Sequence, residues 1–171
     1  MRNKFILLVL LTSLFFTQGE LISKDKWTLV EYEYSTGPVS PEYFYSMKIF
    51  INRDGTAGIS YSTSGTSTVK SKEFRISKSK IRQLNYAIIK SRIMTVPVSE
   101  MKYEGEIIIG GQQRSVTLTV ENTNPNLDQP PKKIFVSGQV KEQYSIKLNE
   151  LFDLIELLVP ASVLNEVSAK P

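Results

Sequence analysis

Acid–base catalysis by a pair of carboxylates remains open to this chain, although it contains no Cys and no His. Thiol chemistry, Ser-His-Asp and Cys-His systems, and zinc sites built on His or Cys are therefore excluded. The acidic residues near predicted loops are Asp54, Glu100, Glu104, Glu106 and Asp128. None lies in a recognisable motif, and spacing along a sequence does not fix the separation of two carboxyl groups that glycoside cleavage requires. We predict a protein that is not an enzyme and needs no cofactor.

Four polar residues alternate in the segment 121–133 and resemble part of a calcium loop. They are Asn122, Asn124, Asn126 and Asp128. One carboxylate supplies little charge, Pro125 interrupts the run, and the Glu at the twelfth position of a calcium loop is missing. We therefore interpret these four residues as binding contacts on a long loop, with calcium as the alternative.

Basic residues concentrate in one short stretch, although the net charge of the whole chain is only +4. The stretch contains Lys70, Lys72, Arg75, Lys78, Lys80, Arg82, Lys90 and Arg92, and Glu73 is its only acidic residue. The small net charge argues against nucleic acid as a partner. Lys78, Arg82 and Lys90 are candidates for docking an anionic partner, and a solvated helix flank is the alternative.

Tyrosines are enriched in the first part of the chain, at Tyr32, Tyr34, Tyr43, Tyr45 and Tyr61. A Tyr ring offers a large contact area and a hydroxyl group at low entropic cost. Tyr34, Tyr43 and Tyr45 are therefore candidate binding residues. The alternative is ordinary packing on a pleated strand.

The elements that position these groups follow from the periodicity of apolar residues. Alternation with period two predicts strands at 27–34, 43–51, 57–61, 69–76, 103–109 and 114–120. Asp54-Gly55 and Gly110-Gly111-Gln112-Gln113 are turn signals. Ser77 is a candidate N-cap for a helix to about Arg92, and helical spacing recurs over 144–158.

This order predicts an α+β fold, β-β-β-β-α-β-β-α, with an antiparallel sheet of about six strands and two helices on one face. Two irregular segments interrupt it, 35–41 and 121–133, both rich in Pro. We expect them to emerge at the same end of the sheet and to form one binding surface.

The amino terminus predicts export. Arg2 and Lys4 precede an apolar run over 5–16, and small residues lead to a cleavage site after Gly19. The apolar run is too short to span a bilayer as a helix, so we favour a cleaved signal peptide over a membrane anchor. The expected organisation is a signal peptide over 1–19, one domain over 20–160 and a flexible tail over 161–171.

With these elements in order, the chain resembles the emfourin-like secreted bacterial inhibitors of thermolysin-type metalloproteases. The resemblance lies in Val30-Glu31-Tyr32-Glu33-Tyr34, the strand and turn over 48–56, the strand, cap and helix over 74–88, and the helix over 148–158. It implies an exported domain that inhibits a protease. The family's Gly-Gly-Phe turn is replaced here by Ser35-Thr36-Gly37-Pro38, so the resemblance assigns no inhibitory residue.

We therefore expect a periplasmic or extracellular, inhibitor-like binding module that acts through loops at one end of the sheet. The alternative is an envelope-associated structural protein that docks through its basic helix face. The expected partner is another secreted or envelope protein, or an anionic envelope polymer, and the mature chain should contain no transmembrane segment.

Overall fold

The computed structural model describes residues 26–40, 43–63, 69–105, 111–121 and 130–169. Several predictions fall wholly or partly outside these ranges. Among them are the signal peptide over 1–19, the second half of the strand predicted over 103–109, the candidate carboxylate Glu106, and the candidate contacts Asn122, Asn124, Asn126 and Asp128.

The described chain contains one antiparallel sheet of six strands. They are β1 (Trp27–Ser35), β2 (Tyr45–Asn52), β3 (Thr56–Thr63), β4 (Lys70–Arg75), β5 (Gln113–Val120) and β6 (Lys132–Ser137), and their order across the sheet is β4-β3-β2-β1-β5-β6. Every neighbouring pair is antiparallel. The predicted α+β class and six-stranded antiparallel sheet are confirmed.

In the described ranges four helices accompany the sheet, α1 (Lys78–Ser91), α2 (Val98–Met101), α3 (Glu142–Leu158) and α4 (Ala161–Ser168). The Ser77 side chain accepts a hydrogen bond from the Lys80 backbone, so the predicted N-cap of α1 is confirmed. The helix ends at Arg92, which takes the left-handed conformation with φ 62°. In the described chain no helix has the length and apolar character needed to span a membrane.

The core lies between one face of the sheet and the helices. Val30 and Tyr32 on β1 face the same side as Ile49 and Ile51 on β2, and all four are buried. The apolar stripe of α3 covers them with Leu148, Leu151, Phe152 and Ile155. This alternation along the strands is the period-two pattern that predicted them.

The turn between β2 and β3 was also predictable from its residues. Gly55 has φ +92°, and a Cβ atom there would lie 2.5 Å from the Ile76 carbonyl oxygen. The Asp54 carboxylate accepts from the Thr56 backbone at 2.8 Å, which stabilises the turn.

The predicted helix count and the flexible tail are wrong. Residues 161–168 form α4, whose Val163 and Val167 are buried one turn apart. Lys72 on β4 pairs with Glu166 at 2.7 Å and further anchors this helix. Pro160 separates α3 from α4 and is the N-cap of α4, since proline is tolerated where a helix begins.

The sixth described strand is not the one predicted over 103–109, of which only residues 103–105 are described. Residues 103–105 belong to no strand, and Lys102 forms only an isolated bridge to Val140. The last strand is β6, which begins inside the predicted 121–133 loop. Ile134 and Val136 alternate as in a strand, but Pro130 and Pro131, shortly before them, favour a loop.

Candidate functional site

The predicted tyrosine surface is mostly internal. Tyr34, Tyr45 and Tyr61 lie on the helix-covered face and stack across β1, β2 and β3, with ring centroids 5.4 Å apart in both pairs. Tyr34 is only 9 % exposed, so its predicted role as a partner contact is corrected to packing. Burial, and then its hydrogen bond with Tyr45, raises the pKa of Tyr34 to about 12. Of the tyrosines predicted to form this surface, all of which are described, Tyr43 alone is largely exposed, at 70 %.

The two predicted binding loops leave opposite ends of the sheet. Ser35 at the end of β1 pairs with Gln113 at the start of β5, whereas Trp27 pairs with Val120 at its end. The chain after β1 and the chain after β5 therefore diverge, and the expectation of one shared surface is wrong. Sequence alone did not reveal that β5 lies antiparallel beside β1.

The loop after β1 packs against a different segment. Gly37 has φ +76°, and a Cβ atom at this position would lie 2.0 Å from the Gly111 carbonyl oxygen. The backbones at 37 and 111 can approach this closely only because residue 37 lacks a side chain. The neighbour of the loop after β1 is therefore the segment just before β5, and not the 121–133 loop.

The basic residues predicted for docking are exposed along α1. Lys78, Arg82 and Lys90 form no ion pair with any residue of the described ranges. Lys70 and Lys72 from the same stretch behave differently, because they contact α4 through the Ala169 carbonyl and the Glu166 carboxylate. The predicted docking cations of α1 therefore carry positive charge that no ion pair within the described ranges compensates.

Lys78 is also placed against the helix dipole. The first turn of α1 contains no acidic residue, and Lys78 and Lys80 occupy it. Cations near a helix N-terminus are electrostatically unfavourable, by a few tenths of a kcal/mol to about 1 kcal/mol. Lys78 and Arg82 are also four residues apart, where like charges repel.

A groove of about 580 Å³ runs between α1 and α3, and we call it the helix groove. Its lining includes Arg82, Tyr86, Ala87, Lys90, Glu150 and Leu154. Ala87 and Leu154 are half-buried against the core and form an apolar floor. Tyr86 is 62 % exposed, and the Lys90 ammonium lies 5.2 Å from its ring centroid. Among the described lining residues the one carboxylate is that of Glu150, which is paired with Lys147 at 2.7 Å.

A second cavity, of about 540 Å³, lies where β1 ends and β2 and β5 begin, and we call it the sheet-end cavity. Its charges are compensated. Glu33 pairs with Lys48 at 2.9 Å, and Arg114 pairs with Asp153 at 2.6 Å and Glu156 at 2.8 Å.

Arg114 also organises the adjoining core. It donates to the Tyr32 hydroxyl at 3.0 Å, and that hydroxyl donates to Glu156. Burial, and then the hydrogen bond to Glu156, raises the pKa of Tyr32. This network joins β1, β5 and α3, so its polar groups already have their hydrogen-bond partners within the fold.

The described carboxylates near loops have structural partners. Asp54 stabilises its turn, Glu100 accepts from the Tyr144 hydroxyl at 2.7 Å, and Glu104 pairs with Lys141 at 2.8 Å. Within the described ranges, no three acidic side chains lie close enough together to hold a metal ion. Glu106 and Asp128 lie outside those ranges.

No protein-family model and no curated protein matches the chain. The emfourin-like resemblance and the protease inhibition that it implies therefore stay predictions.

The sequence predicted only one side of the helix groove. Arg82, Tyr86 and Lys90 share a stripe at spacings of four residues, a visible signal, but Leu154 joins them only through the packing of α3 against α1.

Proposed function

We propose that the protein is a non-enzymatic binding module that docks an acidic, amphipathic segment of a partner protein in the helix groove. The observation that carries the proposal is a set of uncompensated cations, Arg82 and Lys90, beside an apolar floor. This favours the basic helix face over the two loops, which leave opposite ends of the sheet.

The charge pattern supports an acidic partner. Arg82 and Lys90 stand on the rim of the helix groove, Lys78 lies one turn before Arg82, and the carboxylate of Glu150 is neutralised by Lys147. A groove with one sign of charge attracts an oppositely charged partner and accelerates its association. The partner's carboxylates would also relieve the repulsion between Lys78 and Arg82.

The apolar floor supports a protein segment rather than a polymer of charges. Tyr and Arg are enriched among the residues that dominate binding energy, and Tyr86 stands exposed between Arg82 and Lys90. Ala87 and Leu154 offer a surface to apolar side chains. A polyanion would contact the cations but would leave the apolar floor exposed to water.

Export is a separate part of the proposal and rests on Arg2, Lys4 and the apolar run over 5–16. Mass spectrometry of secreted material should find Glu20 at the amino terminus. Intact Met1 in a membrane pellet would contradict the cleaved signal.

A titration with a synthetic peptide tests the docking proposal. The probe is a fluorescent 15-residue peptide of about four helical turns, with Leu and Phe on one face and Glu on the other. The variant Arg82→Glu/Lys90→Glu should weaken binding at least tenfold, about 1.4 kcal/mol, and flatten its salt dependence. The matched control is Lys132→Glu/Lys133→Glu, which changes the net charge equally on exposed residues of β6.

Tyr86→Ala separates a protein segment from a polyanion. It should weaken peptide binding at least tenfold and leave the binding of dextran sulfate within about twofold, about 0.4 kcal/mol. Absence of peptide binding to the wild type, or equal losses in the groove and control variants, would overturn the proposal. If dextran sulfate binds tightly and the peptide does not, the envelope-polymer alternative takes its place.

A further inference from the structure

We infer that the sheet-end cavity is a binding site for a neutral saccharide, separate from the helix groove. The inference rests on the chemistry of the cavity lining. Four strand residues and one residue of α3 carry it, Ser35, Ser46, Gln113, Ser115 and Asn149. The two sites share no lining residue.

The lining is rich in neutral hydrogen-bonding groups. A hydroxyl both donates and accepts, and a primary amide offers two donors and an acceptor. Within the described ranges, the side chains of Ser35, Ser46, Ser115, Gln113 and Asn149 form no hydrogen bond with another residue. These groups are available to a ligand that itself presents many hydroxyls.

The charged side chains of the cavity are already paired, so an ionic ligand is not the preferred one. Glu33 and Lys48 neutralise each other, and Arg114 is held by Asp153 and Glu156. A phosphate or carboxylate would find no free cation among the described lining residues, and a fully apolar ligand would leave the hydroxyls and amides without partners. Polar groups buried without hydrogen bonds are costly, so a polar and uncharged ligand fits best.

The cavity is also held open by the fold. Most of its walls belong to the antiparallel ladders of β1, β2 and β5, and Gly138 donates to the Arg114 carbonyl at 2.7 Å to fix the chain after β6. A preformed site loses little entropy when a ligand binds. The volume of about 540 Å³ is within the usual range for a small-molecule site.

Tyr43 supplies an aromatic surface at the same end of the sheet. It lies in the loop between β1 and β2, its carbonyl accepts from the Thr36 hydroxyl at 3.4 Å, and its ring is 70 % exposed. The electron-rich face of an aromatic ring attracts the weakly positive hydrogens of a sugar's C–H face. Tyr43 thus regains a binding role, at the same end of the sheet as a cavity that its residues did not predict, although it is not itself part of the cavity lining.

Saturation-transfer NMR tests the inference with four tetrasaccharides, neutral cellotetraose, chitotetraose and maltotetraose, and anionic tetragalacturonate. At least one neutral sugar should bind, and tetragalacturonate should bind at least tenfold more weakly. The variant Gln113→Leu/Ser115→Val should lower the affinity for the bound sugar at least tenfold. Thr117→Val, on the same face of β5 but outside the cavity lining, should change it less than twofold.

Tyr43→Ala provides a second variant, on an exposed residue that the fold does not require. It should lower the affinity at least threefold. Binding of no neutral sugar, preference for tetragalacturonate, or equal losses in the cavity variant and Thr117→Val would overturn the inference. Peptide binding by the helix groove should be unchanged in every one of these variants.

Discussion

Arg114 and Arg82 carry the same charge in opposite surroundings. The side chain of Arg114 is 21 % exposed and is held by Asp153, Glu156 and the Tyr32 hydroxyl. Arg82 stands exposed on α1 and has no ion-pair partner in the described chain. A cation already paired within a molecule contributes to stability, whereas one without an internal partner is available to another molecule.

The same difference separates the two cavities. The sheet-end cavity contains Arg114 and the Glu33–Lys48 pair, so its charges are balanced and its remaining polar groups are neutral. The helix groove keeps Arg82 and Lys90 unbalanced above an apolar floor. Charge compensation therefore predicts the ligand class of each site, an acidic protein segment for the helix groove and a neutral saccharide for the sheet-end cavity.

Removing each arginine should give the largest contrast in stability. Arg114→Met leaves Glu156 and the Tyr32 hydroxyl without their cationic partner, so the free energy of unfolding should fall by about 2–3 kcal/mol. Arg82→Met should change it by less than about 0.5 kcal/mol. Urea denaturation measures both, and equal losses would remove the distinction between the two residues.

A methyl group at Gly37 should perturb the sheet end and spare the helix groove. Gly37→Ala combines a positive φ with a Cβ atom 2.0 Å from the Gly111 carbonyl, so about 2 kcal/mol of stability should be lost. Gly111→Ala is the matched control, because its φ is also positive but no atom of the described residues lies within 4 Å of its Cβ position. Its cost should be about 1 kcal/mol. Similar values would argue against the close approach of the two backbones.

Alkaline pH should weaken the tyrosine stack. A Tyr in the unfolded chain titrates near pH 10, whereas burial raises the pKa of Tyr34 to about 12. Between these values the unfolded state binds fewer protons than the folded state, so the free energy of unfolding falls as pH rises. Tyr34→Phe should make this fall shallower, and Arg82→Met should leave its slope unchanged. Denaturation curves from pH 9 to about pH 11.5 test this, and an unchanged slope in Tyr34→Phe would contradict it.

The smallest effect on stability should follow from breaking the Glu33–Lys48 pair. Both side chains are largely exposed, so Glu33→Gln should cost less than about 0.5 kcal/mol. The substitution leaves Lys48 uncompensated beside the sheet-end cavity. Tetragalacturonate should then bind more tightly than it binds the wild type. An unchanged affinity would show that charge balance does not select the ligand.

Local signals predicted most of the fold. Asp54-Gly55 marked the β2–β3 turn, Ser77 marked the start of α1, and alternation marked β1 to β4, because each depends on neighbouring residues. The sequence did not predict the short helix α4 after Pro160 or the strand β6 after Pro131. Proline occurs both where a helix or strand ends and where one begins, so its presence does not tell whether another element follows.

The candidate site was less predictable, because it depends on contacts between distant residues. The exposed cations of α1 were visible as a sequence stretch. The pairing of β1 with β5 and the packing of Leu154 against α1 were not. The pairing of β1 with β5 places the two predicted loops at opposite ends of the sheet. The packing of Leu154 against α1 forms the floor of the helix groove.

The free energy of unfolding of Lys78→Glu in low salt tests most directly whether the cations of α1 serve a partner rather than the fold. The substitution places an acid in the first turn of α1 and turns a repulsive pair with Arg82 into an attractive one at i, i+4. We predict a variant more stable than the wild type by about 0.5–1 kcal/mol, with the gain reduced in high salt. A variant less stable than the wild type would mean that Lys78 stabilises the fold, and would contradict the account.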